Sequence, residues 1–226
     1  DAAASGNPQA SADLRKLGTY YSTCMDSVGA ERAGIQPIKS ELDRINAIRN
    51  RAQLEAEIAR LHYRGVPLLL GFGAQQDFKN STSVIAGITQ GGLTLPDRDY
   101  YLNTEKRYVD IRTNYVDHIT RMLQLIGQTP AQAAADAQKV MSIETALAKP
   151  AMTRVQMRDP NANYHRMTAA ELAQLAPGFA WPAFFTAEGR SDITTINVQN
   201  PEFLKAADAM LTSVPLDDWK AYLRWH

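Results

Sequence analysis

Gly91-Gly-Leu-Thr-Leu-Pro-Asp-Arg-Asp-Tyr-Tyr-Leu102 is the stretch that decides the fold, because two kinds of regular structure meet within it. Pro96 ends an extended segment, since its ring removes a backbone donor. Asp97 or Asp99 can then cap a helix with a side-chain oxygen, and the two tyrosines that follow supply large, partly polar faces for packing. The stretch predicts a strand-to-helix junction.

The residues before the junction predict a small β-hairpin. β-Branched residues are concentrated in Val84–Thr89, and turn-forming residues fill positions 77–83 between two extended stretches. Gly91 and Gly92 lack the Lys and Ser/Thr of a phosphate-binding loop. We interpret this glycine pair as a structural feature: without a Cβ, the backbone there can form a turn or lie close to another segment.

The residues after the junction predict helices. One long face is marked by apolar residues at helical spacing and stops at Gly127: Tyr108, Ile111, Tyr115, Ile119, Met122 and Ile126. Thr129 and Gln132 form a capping box around Pro130, which opens an alanine-rich helix ended by Pro150.

The remaining segments add further helices and short strands. Helices are predicted from periodicity around Leu14–Tyr21, Pro37–Ile48, Leu54–Leu61 and Trp181–Glu188. Thr168 and Glu171 form a second capping box, Asn200-Pro201 starts a further helix, and the last helix runs from Pro215 to His226. A brief strand is predicted at Ile193–Val198, and a polar loop at Arg158–Tyr164. The fold class is therefore mainly α, a multi-helix lobe with a small β-hairpin and short strands. We expect residues 1–12 to be a flexible lead-in, residues 13–226 to form the lobe, and the sequence to end inside its last helix.

Composition excludes several classes of protein. The chain has 226 residues with 24 Lys plus Arg and 24 Asp plus Glu, and it has no dense basic stripe, so nucleic acid is not an expected partner. Its longest apolar run, at 66–72, is too short to cross a membrane. Cys24 is the single cysteine; it cannot form an intrachain disulfide, and we expect it to be a small buried apolar residue.

The sequence offers no convincing catalytic or metal-binding constellation. Zincin-type metallopeptidases place two His at i and i+4 with a Glu between them, but here each His is alone: His62, His118, His165 and His226. A calcium loop starting at Asp159 fails, because Tyr164 stands where Gly is needed and Ala170 where a bidentate Glu belongs. We therefore predict no catalytic, cofactor-binding or metal-binding residue in this chain.

Several polar residues have better structural than chemical interpretations. Helix-start capping and complementarity to the helix dipole explain four acidic residues better than acid/base chemistry does: Asp97, Asp99, Asp217 and Asp218. Asn80-Ser-Thr82 fits a glycosylation acceptor, but a turn-capping role for Asn80 is favoured.

The 91–102 stretch closely resembles a signature in the N-terminal region of the neprilysin and endothelin-converting-enzyme family of zinc metallopeptidases. Five further strings resemble that region in the same order: Tyr20-Tyr-Ser-Thr-Cys-Met-Asp26, Pro37-Ile-Lys-Ser-Glu-Leu-Asp-Arg-Ile45, Ile143-Glu-Thr-Ala-Leu147, Asn163-Tyr-His-Arg-Met-Thr168 and Trp219-Lys-Ala-Tyr-Leu-Arg-Trp-His226. Together they cover nearly the whole chain.

The resemblance implies a helical lobe that faces a catalytic domain of the same polypeptide across a substrate chamber. It implies zinc in the parent enzyme, bound by residues beyond this chain, peptide substrates, and an extracellular or periplasmic location. Cys24 matches a cysteine that is disulfide-bonded to a later part of the chain in many relatives, and its state is left open. Arg98 could hold Asp carboxylates or reach a peptide C-terminus.

Two functions are therefore open. The chain is the chamber-shaping, non-catalytic lobe of a zinc metalloendopeptidase, or it is a standalone helical module that binds peptides or proteins. An uncapped last helix favours the first, because an independent domain is expected to satisfy its last carbonyls.

Overall fold

The computed structural model describes residues 10–66 and 68–226 as a mainly α-helical protein with one four-stranded sheet. The helices are α1 Ala12–Met25, α2 Ser27–Ala33, α3 Gln36–Ala47, α4 Arg51–Tyr63, α5 Asp99–Leu102, α6 Lys106–Leu125, α7 Pro130–Ala148, α8 Ala169–Leu175, α9 Trp181–Ala187, α10 Pro201–Ser213 and α11 Leu216–Trp225. The strands are β1 Leu70–Asp77, β2 Asn80–Gln90, β3 Arg166–Thr168 and β4 Thr195–Val198, and a 3-10 turn covers Gln156–Arg158.

The chain divides into two compact units, Asp1–Asp43 and Arg44–His226. In the described part of the first unit, α1 buries only Gly18. Cys24 lies exposed on this helix, so the prediction that it is a buried apolar residue was wrong. The reason is that α1 leaves its apolar side uncovered, with Leu17 63% and Tyr20 73% exposed. Residues 1–9 of the expected flexible lead-in lie outside the described residues. The boundary between that lead-in and the lobe, placed between residues 12 and 13, stays a prediction.

In the second unit the sheet has the order β1-β2-β4-β3. β1 and β2 form the predicted hairpin, antiparallel with Leu70 opposite Gln90. β4 runs parallel to β2 but pairs with it only from Ala86 to Ile88, and β3 pairs antiparallel with β4. The turn was predicted over residues 77–83, but β1 and β2 extend into that segment and leave only two residues between them. Asp77, predicted as a turn residue, is buried at the end of β1. β3 was not predicted because three residues give too little alternation.

Two apolar clusters form the core of this unit. The larger one packs α4, α9, α10 and α11 against the sheet around Trp181, Phe203, Trp219 and Tyr222. The smaller one joins α6 and α7 through Ile119, Leu123 and the alanine-rich face of α7. The α6 stripe was predicted with Met122, which is 43% exposed; Leu123 is the buried residue, so that part of the prediction was off by one position.

Both predicted capping boxes are confirmed. Thr129 accepts from the Gln132 amide at the start of α7, and Thr168 accepts from the Glu171 amide at the start of α8; each N3 side chain returns the bond. Gly127 has φ +97° just after α6, the left-handed conformation that favours glycine at a helix end. Within the two described ranges, no helix is long and apolar enough to cross a membrane.

Candidate functional site

The most unusual polar group of the second unit is the fully buried carboxylate of Glu144 on α7. Its Oε2 accepts hydrogen bonds from the hydroxyls of Tyr101 at 2.9 Å and Tyr115 at 2.8 Å. Its Oε1 accepts from the Thr94 hydroxyl at 2.8 Å and the Thr94 amide at 3.3 Å. Four donors thus replace the water that a buried carboxylate loses.

The donors around Glu144 are held in their protonated form. Burial, and secondly the nearby Glu144 charge, raise the pKa of Tyr101 and of Tyr115 above the ordinary tyrosine value. The phenols therefore remain donors throughout the neutral range. His226 places Nε2 3.4 Å from Oε1 of Glu144.

A second layer of hydrogen bonds ties the donors to neighbouring segments. The Leu95 amide donates to the Tyr101 hydroxyl at 2.8 Å, and the Trp225 indole donates to the Thr94 hydroxyl at 3.0 Å. We call Glu144, Thr94, Tyr101, Tyr115 and Trp225 the Glu144 network. It brings together three of the strings that carry the family resemblance, at 91–102, 143–147 and 219–226.

A close backbone approach adjoins the Glu144 network at Gly92. Gly92 has φ +74°, and a Cβ there would lie 2.6 Å from the Tyr222 hydroxyl and 2.7 Å from the Leu69 amide nitrogen. The Tyr222 hydroxyl donates to the Gly92 carbonyl at 3.0 Å and accepts from the Leu69 amide at 3.4 Å. The prediction that the glycine pair permits a close approach of the backbone is confirmed.

This arrangement favours a structural clamp over acid/base catalysis. Each Glu144 oxygen already accepts two hydrogen bonds, and the side chain has no exposed surface. A general base needs a lone pair within reach of the proton that it removes. The Glu144 network instead fixes the hairpin exit, α5, α6 and α11 around α7.

Glu144 was missed by sequence reasoning, although a signal was present. It lies on the buried stripe of α7, one turn from Val140 and one turn from Ala148. An acidic residue on such a stripe needs donors from elsewhere, and the tyrosines of the 91–102 stretch were the available candidates.

The four histidines do not converge. Nε2 of His62 donates to the Leu68 carbonyl, and Nδ1 of His165 lies 3.0 Å from the Val198 carbonyl. His118 is exposed on α6 with its ring 5.7 Å from that of Trp225. In the described ranges, no three His, Cys, Asp or Glu side chains are grouped to hold a metal ion. The expectation that this chain has no catalytic, cofactor-binding or metal-binding residue stays a prediction.

At the strand-to-helix junction, Asp97 accepts a backbone amide and Asp99 does not, although either residue was predicted to cap the helix. Asp97 Oδ1 accepts from the Asp99 amide at 2.9 Å, and its Oδ2 lies 2.8 Å from Nε of Arg154. Asp99 is exposed and its side chain caps nothing, so its predicted capping role was wrong. Arg98 donates to the Lys149 carbonyl at 3.3 Å instead of holding Asp97, and its possible reach to a peptide C-terminus stays a prediction.

This division predicts that Asp97→Ala destabilises the protein more than Asp99→Ala. Removing Asp97 leaves an amide at the start of α5 without its acceptor, which costs about 1 to 2 kcal/mol. Asp99→Ala removes an exposed side chain and should change stability by less than about 0.5 kcal/mol. Urea unfolding of both variants measures the difference, and a larger loss in Asp99→Ala would contradict this assignment.

The other polar residues act locally. The Asn80 side chain accepts from the Thr82 hydroxyl at 2.8 Å and donates to that of Ser83, so its turn role is confirmed. Asp159 Oδ1 accepts from two following amides in a tight turn. Asp217 and Asp218 lie in the first turn of α11, where their negative charge complements the helix dipole as predicted, but neither side chain caps the helix.

His62 should make stability depend on pH. Burial lowers its pKa below the ordinary value, although the bond to Leu68 opposes this in part. Below about pH 6.5 the unfolded chain therefore binds a proton that the folded chain resists, and stability falls as the pH falls.

We expect the unfolding free energy of the protein to drop more between pH 7.5 and pH 5.0 than that of His62→Gln. The effect is at most about 1.4 kcal/mol for each pH unit that separates the folded and unfolded pKa values. His118→Gln, at an exposed histidine, is the control and should keep the full drop. An equal drop in the protein and in His62→Gln, measured by urea unfolding, would contradict the expectation.

Comparison with known proteins gives matches over nearly the whole chain. The family model described as Peptidase family M13 matches residues 1–226. Endothelin-converting enzyme 1 of Homo sapiens is 29% identical over 225 residues, covering 94% of this chain and 29% of that protein. Neprilysin-3 of Drosophila melanogaster is 29% identical over 233 residues, covering 93% of this chain and 30% of that protein.

Solved structures have the same fold. The zinc metalloprotease Zmp1 of Mycobacterium tuberculosis, in complex with an inhibitor, matches 99% of this chain with a TM-score of 0.90 and 31% identity. PepO of Lactobacillus rhamnosis matches 94% with a TM-score of 0.72, but its 13% identity supports only a common fold. The chain spans 34% and 33% of those two structures.

Proposed function

Because this chain belongs to peptidase family M13, whose model matches all of its residues, we propose that it is the N-terminal part of a zinc-dependent metalloendopeptidase. The observation that supports the proposal most is coverage. Nearly the whole chain aligns with relatives that are peptidases, yet it spans only 29% of the length of endothelin-converting enzyme 1 and 34% of that of Zmp1. The rest of such a polypeptide supplies the catalytic domain.

Zinc belongs to that other part of the polypeptide. A catalytic zinc site needs three protein ligands that converge on one point, and among the described residues no three His, Cys, Asp or Glu side chains do so. This chain contributes shape. We propose that the Glu144 network makes the lobe a stiff wall of the substrate chamber, so that peptides enter and larger chains are excluded.

The exposed side of α1 supports a covering partner in the same polypeptide. Tyr21 is 52% and Met25 62% exposed, which adds to the apolar surface formed by Leu17 and Tyr20. Apolar patches of this kind mark interaction surfaces. We propose that the catalytic domain covers this side of α1. We also propose, from the family resemblance, that the parent enzyme acts outside the cytoplasm.

The gene product tests the proposal. We expect a polypeptide far heavier than 25.0 kDa that binds one zinc ion and cleaves a fluorogenic peptide, while residues 1–226 alone do neither. On the complete protein, kcat/KM should fall steeply from short peptides to an unfolded protein such as casein.

Two results would count against the proposal. Equal kcat/KM for the short peptide and casein would contradict the size-restricting wall. A complete gene product of about 25 kDa without zinc would favour the standalone binding module instead.

A further inference from the structure

A cleft of about 470 Å³ opens between the hairpin and the segment that leads into β4. One side is formed by Ser83–Ile85 of β2, and the other by Ile193–Thr195. Its charged lining groups are Arg166, Glu188, Arg190 and Asp192. The volume lies within the usual range of ligand sites and has room for a few residues of extended chain.

Glu188 is half-buried and is the charged lining group that has no ion pair among the described residues. Arg190 is held by Asp192 through two parallel bonds at 3.0 and 3.2 Å, and Arg166 lies 3.5 Å from the Asp77 carboxylate. Glu188 Oε1 is buried and has no hydrogen-bond partner in the described residues.

The position of Glu188 also works against its own charge. It is the C-cap of α9, where unpaired carbonyls already make the surroundings negative. Burial raises the pKa of its carboxyl above the ordinary value. A carboxylate in such a place costs stability, and groups that break local rules in this way are typical of binding sites.

The neighbouring strand edge offers backbone groups to the same cleft. β4 pairs with β2 only from Ala86 to Ile88, so within the described part of the chain the hairpin end of β2 has a partner strand on its β1 side alone. Among the described residues, Ser83–Ile85 make no backbone hydrogen bond outside the hairpin. An extended peptide can pair with such an edge through its main chain.

We infer that this cleft binds an extended peptide segment of another molecule, which pairs with Ser83–Ile85 and places a Lys or Arg side chain against Glu188. A basic side chain supplies the donor and the positive charge that Glu188 lacks. The apolar side chains of Phe72, Ile85 and Ile193 suit β-branched neighbours of that basic residue. The inference goes beyond the proposed role of the chain, because it requires neither zinc nor peptide cleavage.

The test is a titration of the whole ¹⁵N-labelled chain with acetyl-Thr-Val-Lys-Val-Thr-amide, followed by amide chemical shifts. We expect saturable shifts at Ser83–Ile85 and Thr194. Acetylating the lysine should weaken binding about tenfold or more, because it removes the charge that faces Glu188. N-methylating the two valine amides should also weaken binding, because it removes main-chain donors.

Glu188→Gln should weaken binding of the lysine peptide by the same factor and remove the effect of acetylation. Glu202→Gln makes the same charge change at an exposed site on α10 and should leave binding unchanged. Glu188→Gln should fold at least as stably as the protein at pH 7, since the carboxylate has an unfavourable site. The melting temperature checks this.

Three outcomes would overturn the binding site as a whole, and a fourth would overturn its strand pairing. One is the absence of shifts at about 10 mM peptide, which corresponds to negligible affinity. The second is shifts confined to another surface. The third is binding that neither lysine acetylation nor Glu188→Gln weakens. Equal binding of the N-methylated peptide would overturn the strand pairing. None of these results depends on peptidase activity, so the proposed function stands or falls separately.

Discussion

Glu144→Ala should lose about 3 to 5 kcal/mol of unfolding free energy, one of the largest effects expected for a single side chain here. The substitution removes the acceptor of three hydroxyls and one backbone amide at once. Tyr101 and Tyr115 are buried and have little access to water as a substitute acceptor. The cavity left on the buried face of α7 adds to the loss.

Glu144→Gln separates the charge from the shape. The amide keeps one oxygen for Thr94 but turns an NH₂ group toward the two tyrosine hydroxyls, one of which can rotate to accept it. We expect a smaller loss, about 1 to 2 kcal/mol. Glu202→Ala, at an exposed glutamate paired with Lys205, is the control and should change stability by less than about 0.5 kcal/mol.

Urea unfolding monitored by circular dichroism measures all three variants. A double-mutant cycle of Glu144→Gln with Tyr115→Phe should show coupling, since both changes remove the same hydrogen bond. A loss below about 1 kcal/mol for Glu144→Ala would contradict the clamp and leave the buried carboxylate without a structural explanation.

Local signals explain what could be predicted from the sequence. The capping boxes at Thr129 and Thr168 involve residues three apart, and the helix end at Gly127 depends on one backbone conformation. Such features are determined by short-range chemistry, so they can be recognised without knowledge of the tertiary fold. The hairpin was predicted from local signals too, but its turn was predicted to be longer than the two residues that separate β1 and β2.

Features that depend on distant partners could not be predicted in this way. Glu144 and Tyr101 are 43 positions apart, and the choice of Leu123 over Met122 as the buried residue depends on the angle at which α7 packs on α6. Asp97, and not Asp99, accepts the amide at the start of α5 partly because Arg154, a residue of a distant loop, pairs with its carboxylate. The Glu188 cleft depends on where β4 stops pairing with β2, and no short sequence pattern specifies that point.

Gly92→Ala should destabilise the protein by about 3 kcal/mol or more, because two separate costs add. The first is conformational: Gly92 has φ +74°, and an alanine in that region costs about 1 kcal/mol. The second is steric: the new methyl group would lie 2.6 Å from the Tyr222 hydroxyl and 2.8 Å from Cα of Leu69. Overpacking of a rigid site typically costs a further 1 to 3 kcal/mol.

The site has few ways to relax around that methyl group. The Tyr222 hydroxyl is fixed by its bonds to the Gly92 carbonyl and the Leu69 amide, and burial raises the pKa of this phenol, so it remains protonated. Leu69 is itself at φ +60° and completely buried. A shift of either residue would therefore disturb the core next to the Glu144 network.

Gly189→Ala is the matched control for Gly92→Ala, since Gly189 has φ +70° but no atom within 4 Å of the position of a Cβ. It should lose only the conformational cost of about 1 kcal/mol. The difference between the two alanine variants then measures the close approach alone. Tyr222→Phe should recover part of the loss when combined with Gly92→Ala, because it removes the nearest clashing atom. Equal losses at Gly92 and Gly189 in urea unfolding would mean that the hairpin exit can move away from Tyr222, and the signature stretch would then owe its glycine to backbone conformation only.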